Sequence, residues 1–600
     1  MMTTDHVEPQ PAFLGVERSL GGKKWRARLA DDRAGLALAQ TAGLPEIVAR
    51  ALAARGIDAD SLDAFLEPTL RDALPDPSTL RDMDKAVARL VQAINGGERI
   101  GIFGDYDVDG ATSTALLTRF FQVLGRSVTV YIPDRIKEGY GPNTAALLRL
   151  RNEENIDVVI TVDCGITAHG PLGDAAAAGL DVIVVDHHVA EPRLPQAAAV
   201  VNPNRLDDDS NCGQLAAVGV TFLLVVALNR ALRDAFWYGE GHAAPDLMAW
   251  LDLVALGTVC DVVPLTGVNR ALVAQGLKIM ARRNNPGIAA LADVARIDSR
   301  PDAYHAGFVF GPRVNAGGRV GEAGLGARLL ATGDAAEAAA IAARLDDYNT
   351  ERRAIEASVL EAALSEGEAQ ADADAPVIIA ASEGWHPGVI GIVAGRLRER
   401  FNRPACVVAI DGTLAKGSAR SIPGVALGPA VIAAHQAGLL VNGGGHAMAA
   451  GFTIETGRLE EFQAFLNDHV TGQLGGAAPV AELGIDGALT PEGATVELIE
   501  LLDKIGPFGA GNARPRFAFA GVRVVTSYIV GADHVRCFVT SMGGGKRLKS
   551  IAFRAAGTAL GRALADPTGA PLNIAGHLQI DRWQGAENAQ LIIEDAAIAE

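Results

Sequence analysis

Three aspartates stand at alternate positions, Asp105, Asp107 and Asp109, directly after the apolar run 100–103. A run of this composition is typical of a buried parallel strand. Three carboxylates at the exit of a strand would repel one another strongly unless a cation lay among them. The spacing therefore predicts a divalent-metal site at the carboxyl end of a strand.

The pattern of an apolar run that ends in an aspartate recurs along the chain. Asp134, Asp163 and Asp186 each end such a run, and His187 and His188 follow Asp186 at once. The runs are 128–133, 158–162 and 182–185, with helical spacing between runs in 112–124 and 166–178. Alternation of strands and helices predicts a doubly wound parallel sheet, in which ligands bind outside the carboxyl ends of the strands. A single aspartate is more often a helix cap, but recurrence at successive strand ends favours one functional edge.

Composition sets broader limits. The 600 residues predict three or four domains, and 49% hydrophobic with 21% charged residues is typical of a globular chain. A net charge of −18 argues against a broad nucleic-acid surface, although a narrow basic channel remains compatible with it. The five cysteines form no CxxC pair, which favours reduced thiols in a cytoplasm over a zinc site or a disulfide framework.

Targeting and membrane signals are weak. Acidic residues precede any apolar stretch at the N-terminus, so we expect no signal peptide. The segment 210–229 carries no charge, but asparagine, glutamine and glycine interrupt it. It predicts a buried core helix rather than a membrane span.

Further units follow the first. The Ala- and Glu-rich stretch 334–373 predicts a long exposed connecting helix, and a second α/β unit begins at 377–380. Beyond about residue 480, short strands with glycine breaks predict a small β-barrel of the OB type. The predicted division is a helical segment 1–95, a catalytic domain 96–333, a connecting helix 334–374, a substrate-binding α/β domain 375–475 and an OB-like nucleic-acid-binding domain 476–600. We interpret 311–319 as a loop.

Carboxylates with one imidazole suit Mn²⁺ or Mg²⁺ better than zinc. Two ions about 3.5–4 Å apart could share a carboxylate and would support hydrolysis of a phosphoester or phosphoanhydride. Elsewhere in the chain, glycine runs could offer backbone N–H groups to phosphate, and Arg313, Arg319 and Arg420 could bind phosphate oxygens through guanidinium forks, with a hydroxyl contact from Ser418.

Several motifs of the chain resemble those of a known family. The segments 105–110 (DYDVDG), 162–165 (VDCG) and 186–188 (DHH), with Asp261, resemble the four motifs of the DHH phosphoesterases. The segment 443–452 (GGGHAMAAGF) resembles the signature of the companion DHHA1 domain. Their order, the chain length and the C-terminal β module resemble the RecJ-type branch of single-strand-specific DNA exonucleases. The resemblance covers nearly the whole chain past about residue 40.

The resemblance implies roles for individual residues. The implied metal ligands are Asp107, Asp109, Asp163, His187 and Asp261, with Asp163 bridging two ions. Asp105 would be a ligand or an outer partner, Asp186 would orient the histidine pair, and His188 would face the scissile phosphate. The implied substrate contacts are Arg135, Ser418 and Arg420 at a 5′ phosphate, Tyr140 stacked near the strand end, and Arg313, Asn315, Arg319 and His446 elsewhere along the substrate.

The implied activity is 5′-to-3′ degradation of single-stranded DNA to mononucleotides by two-metal hydrolysis, in DNA repair and recombination. Single-stranded DNA would be the main partner, with a single-strand-binding protein and a helicase as further partners. The protein would be a cytoplasmic monomer without a membrane association.

Three alternatives are weighed against this reading. An oligoribonuclease or nucleotide phosphatase of the DHH family is disfavoured because such relatives are shorter and lack the β module. A haloacid-type phosphatase also uses Asp-x-Asp but does not need the DHH triplet. A non-catalytic scaffold of the same ancestry would be expected to have lost acids that are all present here.

Overall fold

The structure is a computed structural model that describes residues 11–239, 243–475, 480–582 and 585–599. The strands are β1 Lys24–Ala27, β2 Ile100–Gly104, β3 Val128–Tyr131, β4 Val158–Val162, β5 Asp181–Val185, β6 Ala199–Val201, β7 Ile378–Glu383, β8 Ala405–Asp411, β9 Leu414–Arg420, β10 Asn442–His446, β11 Ala449–Glu455, β12 Glu482–Ile485, β13 Gly487–Leu489, β14 Phe517–Val530, β15 His534–Thr540, β16 Leu548–Ala552, β17 Leu572–Asp581 and β18 Asn588–Ile598. The helices are α1 Asp32–Ala42, α2 Glu46–Ala53, α3 Leu62–Leu66, α4 Leu70–Ala73, α5 Met83–Gly96, α6 Val108–Val123, α7 Thr144–Asn152, α8 His169–Ala177, α9 Ala217–Asp234, α10 Leu251–Cys260, α11 Gly267–Met280, α12 Pro286–Val294, α13 Gly311–Val320, α14 Leu325–Ala331, α15 Ala335–Asp372, α16 Ile390–Phe401, α17 Leu427–Gln436, α18 Leu459–Leu474, α19 Val496–Asp503 and α20 Ala559–Leu564.

The chain divides into two compact units, Leu70–Pro479 and the combination of Met1–Thr69 with Val480–Glu600. The larger unit contains the predicted parallel sheet, with strand order β3-β2-β4-β5-β6. Every residue of β2 and β4 is buried, because helices cover both faces of such a sheet. The doubly wound α/β class is therefore confirmed, and the carboxyl ends of β2, β4 and β5 lie side by side.

Gly110 lets the first turn of α6 approach the strand exit closely. A Cβ at this position would lie 2.5 Å from the Asp105 carbonyl oxygen and 2.7 Å from the Asp105 amide nitrogen. Both atoms belong to the backbone and cannot rotate away. The glycine thus fixes how the turn that carries Asp107 and Asp109 sits against Asp105.

We expect Gly110→Ala to lower the free energy of unfolding by about 1–3 kcal/mol, as for other overpacked sites, and to reduce metal-dependent activity. Gly173→Ala is the matched control, because a Cβ on this glycine of α8 would meet nothing within 4 Å. It should be neutral or stabilising by about 0.5–1 kcal/mol. Urea unfolding and a nuclease assay on both variants measure the difference; equal behaviour would contradict the packing argument.

The second sheet of this unit has the order β10-β11-β9-β8-β7. The 38-residue helix α15 leads into β7, which confirms the long connecting helix. The glycine run predicted to contact phosphate forms edge strand β10, which pairs antiparallel with β11.

The interpretation of 311–319 as a loop is wrong, because these residues form helix α13. Glycine has a low intrinsic helix propensity, but here tertiary packing outweighs it. A Cβ on Gly317 would lie 2.5 Å from the Glu322 carbonyl oxygen, and one on Gly318 would lie 2.9 Å from that of Tyr106. Gly318 therefore permits close packing against the segment that carries Asp105, Asp107 and Asp109, and Gly317 permits close packing against the residues that follow α13.

The smaller unit holds the predicted β module. Its sheet has the order β13-β14-β15-β16-β18-β17, and a further pairing of β14 with β17 closes it into a barrel. The N-terminal residues belong to this unit: β1 pairs in parallel with β12, and the Trp25 indole donates to Asp595 at 3.0 Å. Arg28 and Arg55 form ion pairs with the fully buried Asp486 at 3.1 and 3.0 Å. A segment that the sequence indicated only as helical thus contributes a strand and a buried ion-pair network.

The uncharged segment 210–229 lies largely within α9, most of which is buried in the larger unit. Among the described residues, no helix is long and apolar enough to cross a membrane.

Candidate metal centre and anion pocket

The predicted acids and histidines do meet at the carboxyl edge of the parallel sheet. Asp163 and Asp186 follow β4 and β5 directly, and Asp261 caps the end of α10. Asp107 caps the start of α6, where its side chain accepts from the Gly110 amide at 3.0 Å. Asp109 accepts from the Ala217 and Val218 amides at 2.6 and 2.8 Å, at the start of α9.

The ligand atoms form three overlapping groups, each with its atoms within 4.8 Å of one another. The groups are Asp105 with Asp107 and Asp163, Asp163 with His187 and His188, and Asp109 with His187 and Asp261. Asp163 belongs to two of the groups, which fits the position of a carboxylate shared by two ions. Its Oδ1 lies 3.4 Å from His187 Nε2.

His187 is oriented as a ligand would be. Its Nδ1 lies 3.1 Å from the Leu215 carbonyl oxygen, so we assign the proton to Nδ1 and leave Nε2 as the nitrogen free to coordinate. Burial first, and then the neighbouring His188, lower the pKa of His187 to about 4. The imidazole is therefore neutral at physiological pH, as a metal ligand must be.

The carboxylates lie so close together that their ionised forms would repel one another strongly without a bound cation. Burial and mutual repulsion raise the pKa values of Asp105, Asp109 and Asp163 well above the usual range. Burial and the charge of Asp107 raise the pKa of Asp261 to about 7. A divalent ion would remove this penalty, since it favours the charged form of each group.

Orphaned atoms support the same conclusion. Asp105 Oδ1, His187 Nε2 and Asp261 Oδ2 are buried and have no hydrogen-bond partner among the described residues. Buried polar atoms are rarely left unpaired. Oxygen atoms with a single imidazole nitrogen form a donor set that fits Mn²⁺ or Mg²⁺, so the residues present fit the predicted metals.

Asp186 holds the two histidines in position through hydrogen bonds. Its Oδ1 accepts from the His187 and His188 amides at 2.7 and 3.1 Å and lies 2.7 Å from His188 Nδ1, while its Oδ2 accepts from the Ile166 amide at 3.0 Å. Burial lowers the pKa of His188, but the hydrogen bond and charge of Asp186, together with the charges of Asp261 and Asp107, outweigh burial and raise the pKa to about 9. The Tyr140 hydroxyl donates to the Asp163 carbonyl at 2.9 Å and lies 3.2 Å from His188 Nδ1.

A pocket of about 260 Å³ lies within the same unit, between the first sheet domain and the second. Its lining residues are Arg135, Ile136, Pro387, Gly388, Ile390, Gly391, Lys416, Gly417, Ser418, Asn442, Gly451, Phe452 and Thr453. Pro387 and Gly388 precede α16, a 12-residue helix that begins at Ile390, and the amides of Ile390 and Gly391 have no intrahelical acceptor. A Cβ on Gly391 would lie 2.9 Å from Ser418 Oγ and 3.2 Å from an Arg420 Nη2, so this helix start, the hydroxyl and the guanidinium converge.

The cations around this pocket lie close enough to repel one another. Burial, and then Arg135 and Arg352, lower the pKa of Arg319 to about 10. Burial, and then Arg135, lower the pKa of Arg420. Converging guanidinium groups at a helix start form an anion site. Arg135 also stacks over the Tyr106 ring at 5.1 Å.

Other predicted residues are placed differently. Arg313 forms an ion pair with Asp346 at 2.8 Å and donates to the Val309 carbonyl, so its guanidinium is engaged within the chain. Arg319 donates to the Gly388 carbonyl at 2.9 Å, beside the pocket, and Asn315 is half-buried on α13. His446 is exposed at the end of β10 and is not among the residues that line the pocket.

Sequence reasoning missed Lys416 and the start of α16. Lys416 lines the pocket and donates to the Ile136 carbonyl at 3.2 Å. A signal was available: Lys416, Ser418 and Arg420 alternate along β9 and so share one face of the strand. The helix start gives no comparable signal, because His386 to Gly388 reads as a turn.

Comparison with known proteins agrees with this architecture. Three family profiles match the chain: the DHH family, N-terminal domain, over residues 99–258, the DHHA1 domain over 374–472 and the RecJ OB domain over 485–595.

Relatives match over almost the full length. The single-stranded-DNA-specific exonuclease RecJ of Salmonella typhimurium is 37% identical over 96% of this chain and 99% of its own. That of Escherichia coli is 38% identical over 95% and 98%. The crystal structure of Thermus thermophilus RecJ in complex with Mn²⁺ superposes with a TM-score of 0.79 at 31% identity, and covers 96% of this chain and 80% of that one; a complex of the same protein with Mg²⁺ gives 0.74.

Proposed function

This chain belongs to the RecJ family of single-stranded-DNA-specific exonucleases, and from that premise we propose that it removes mononucleotides from the 5′ end of single-stranded DNA at a site that holds two Mn²⁺ or Mg²⁺ ions. The observation that carries the proposal is the pairing of a carboxylate-histidine cluster with a pocket in the same unit that is lined by Arg135, Lys416 and Ser418, with Arg420 beside Ser418. The cluster suits cleavage of a phosphodiester and the pocket suits a phosphate at the end of the strand.

The proposed ligands are Asp107, Asp109, Asp163, His187 and Asp261, with Asp105 close enough to serve as a further ligand or an outer partner. When bound, the ions would lower the pKa of a water molecule and neutralise charge that develops on the phosphate. The Asp109 carboxylate accepts from two backbone amides, and the backbone of Asp163 is fixed by the bond from its amide to the Val185 carbonyl. Both arrangements hold the carboxylates in place before the substrate arrives.

His188 would act on the substrate directly. Asp186 holds the proton on His188 Nδ1, so the charged imidazolium can donate from Nε2 to a phosphate oxygen. Tyr140 contacts both the Asp163 carbonyl and His188 Nδ1, and its ring lies edge-on to that of His188, so it would position the histidine. The same ring would stack near the end of the DNA strand.

The pocket would receive the 5′ phosphate. Arg420, Ser418 and Arg135, together with Lys416 and the first amides of α16, supply donors from both sheet domains. A fixed distance between this pocket and the metal cluster would set the length of the released product, which we propose is one nucleotide.

We expect single strands to be degraded at least about tenfold faster than blunt duplexes of the same length, since contacts with one backbone and with unpaired bases are not available at a paired end. Digestion of end-labelled single-stranded and blunt duplex DNA with Mn²⁺ and with Mg²⁺ measures the ratio of the two rates and the size of the labelled product. Equal rates on the two substrates would contradict the proposal. Hydrolysis confined to dinucleotides would favour a short-substrate DHH enzyme.

The cellular role, the oligomeric state and the protein partners are proposed from the family resemblance. We propose that the protein works in the cytoplasm as a monomer in DNA repair and recombination, with single-stranded DNA delivered by a helicase and by a single-strand-binding protein.

A further inference from the structure

A stacked pair of aromatic rings stands exposed on the helical turn that leads into α13. Tyr304 and Phe308 are 62% and 72% exposed, and their ring centroids lie 5.2 Å apart at an angle of 29°. Scattered apolar side chains on a surface are ordinary, but two large rings that stack on each other and leave their outer faces in water form a ready platform for a third flat group.

The platform is built on an unusual piece of backbone. Residues His305–Phe310 form a π-helical turn that continues directly into α13. Isolated π-helical turns occur frequently at functional sites. The turn is anchored to the end of α10, where Cys260 Sγ donates to the Ala306 carbonyl at 3.4 Å and Val259 lies against Gly307. The residue after Cys260 is Asp261, so the platform is held beside a proposed metal ligand.

Residues at helical spacing run from the platform towards the anion pocket, and we call this set the stripe. Tyr304, Phe308, Pro312, Asn315 and Arg319 follow one another at intervals of four, four, three and four residues, which places them along one side of a helical segment. The stripe extends for about 20 Å at about 1.5 Å per residue. It ends where Arg319 donates to Gly388 beside the pocket, and it carries no acid in a chain of net charge −18.

We propose that Tyr304 and Phe308 stack against a base of the single strand whose 5′ phosphate occupies the anion pocket, on the side of the scissile bond away from that pocket. The proposal rests on the proposed function and adds a substrate contact to it. Stacking on aromatic side chains tolerates any base, because every base has a flat face. The platform would therefore hold the strand in place between cleavage events without selecting its sequence.

The test is a Tyr304→Ala/Phe308→Ala double variant, with Phe236→Ala as the matched control because Phe236 is a 92% exposed aromatic outside the stripe. On long 5′-phosphorylated single strands, the double variant should bind about tenfold or more weakly. The slope of binding against salt concentration should not change, since no cation has been removed. The control should behave as the wild type does.

Oligonucleotides with one abasic residue at successive positions locate the contact. The wild type should bind markedly more weakly when the abasic residue reaches one particular position, and the double variant should show no such minimum because the stacking partner is already gone. Wild-type affinity in the double variant, or an unchanged minimum, would overturn the proposal. A wild-type enzyme that digests no single strand would instead overturn the proposed function, and the stacking proposal with it.

Discussion

Replacing Asp163 by asparagine should reduce hydrolysis of single-stranded DNA by at least about a thousandfold, because this carboxylate lies where two of the candidate ligand groups overlap. Asparagine is preferred to alanine for the decisive measurement. Asp163 has a φ of 61°, a left-handed conformation that asparagine tolerates and alanine does not. Asp163→Ala should be equally inactive but should also carry a small backbone penalty.

Stability gives a second readout that does not depend on activity. Without metal, the raised pKa of Asp163 means that its ionised form opposes folding at neutral pH. Asp163→Asn should therefore not lower the free energy of unfolding in a chelator. Mn²⁺ should raise the melting temperature of the wild type through binding to the folded state and should raise that of the variant much less.

Asp157→Asn is the matched control, since Asp157 precedes β4 and Asp163 follows the same strand. Asp157 accepts from the Arg99 amide and pairs with Arg151 at 2.9 Å, so its loss should change stability slightly and activity little. Full activity of Asp163→Asn in saturating Mn²⁺, or an equal metal-induced shift in melting temperature, would exclude Asp163 as a shared ligand.

The residues at the edge of the parallel sheet were predictable because the signal for each of them lies within a short stretch of sequence. Each apolar run followed by an acid indicates one strand and its end, and parallel strands bring these ends together. Asp261 was different: it ends a helix, and only the resemblance to the DHH family connected it with the acids earlier in the chain. Asp163 and Asp186 could be placed by pattern, but their distinct roles depend on hydrogen bonds that no spacing reveals.

Long-range pairing and close packing account for what sequence reasoning missed. β1 pairs with β12 across more than 450 residues, and nothing local in 24–27 indicates that partner. The glycines of α13 suggest a loop when propensity alone is considered, whereas they serve close contact with Tyr106. The alternation along β9 indicated that Lys416 shares a face with Ser418 and Arg420. Its place in the pocket depends on the loop of Arg135 and Ile136, which packs against it in the fold.

Recognition of the strand end should depend on Arg420. A terminal phosphate monoester carries nearly one more negative charge than an internal diester, and a guanidinium fork binds such a group through charge-assisted hydrogen bonds. Arg420 converges with Ser418 on the start of α16, and burial, followed by the charges of Arg135 and Arg398, lowers its pKa. The positive charge of Arg420 is thus available to bind a phosphate dianion.

We expect Arg420→Ala to cut activity on 5′-phosphorylated strands by about ten- to a hundredfold, the effect of losing a charged hydrogen bond worth about 1.5–3 kcal/mol. The loss on 5′-hydroxyl strands should be clearly smaller, so the preference for a phosphorylated end should shrink. Arg420→Lys should recover part of that preference, because it restores the charge without the fork. Arg400→Ala is the control, since this arginine is 62% exposed at its side chain and faces Glu368. Parallel time courses on the two kinds of end measure the ratio for each variant; an equal drop on both would make Arg420 a general backbone contact rather than the group that detects the terminus.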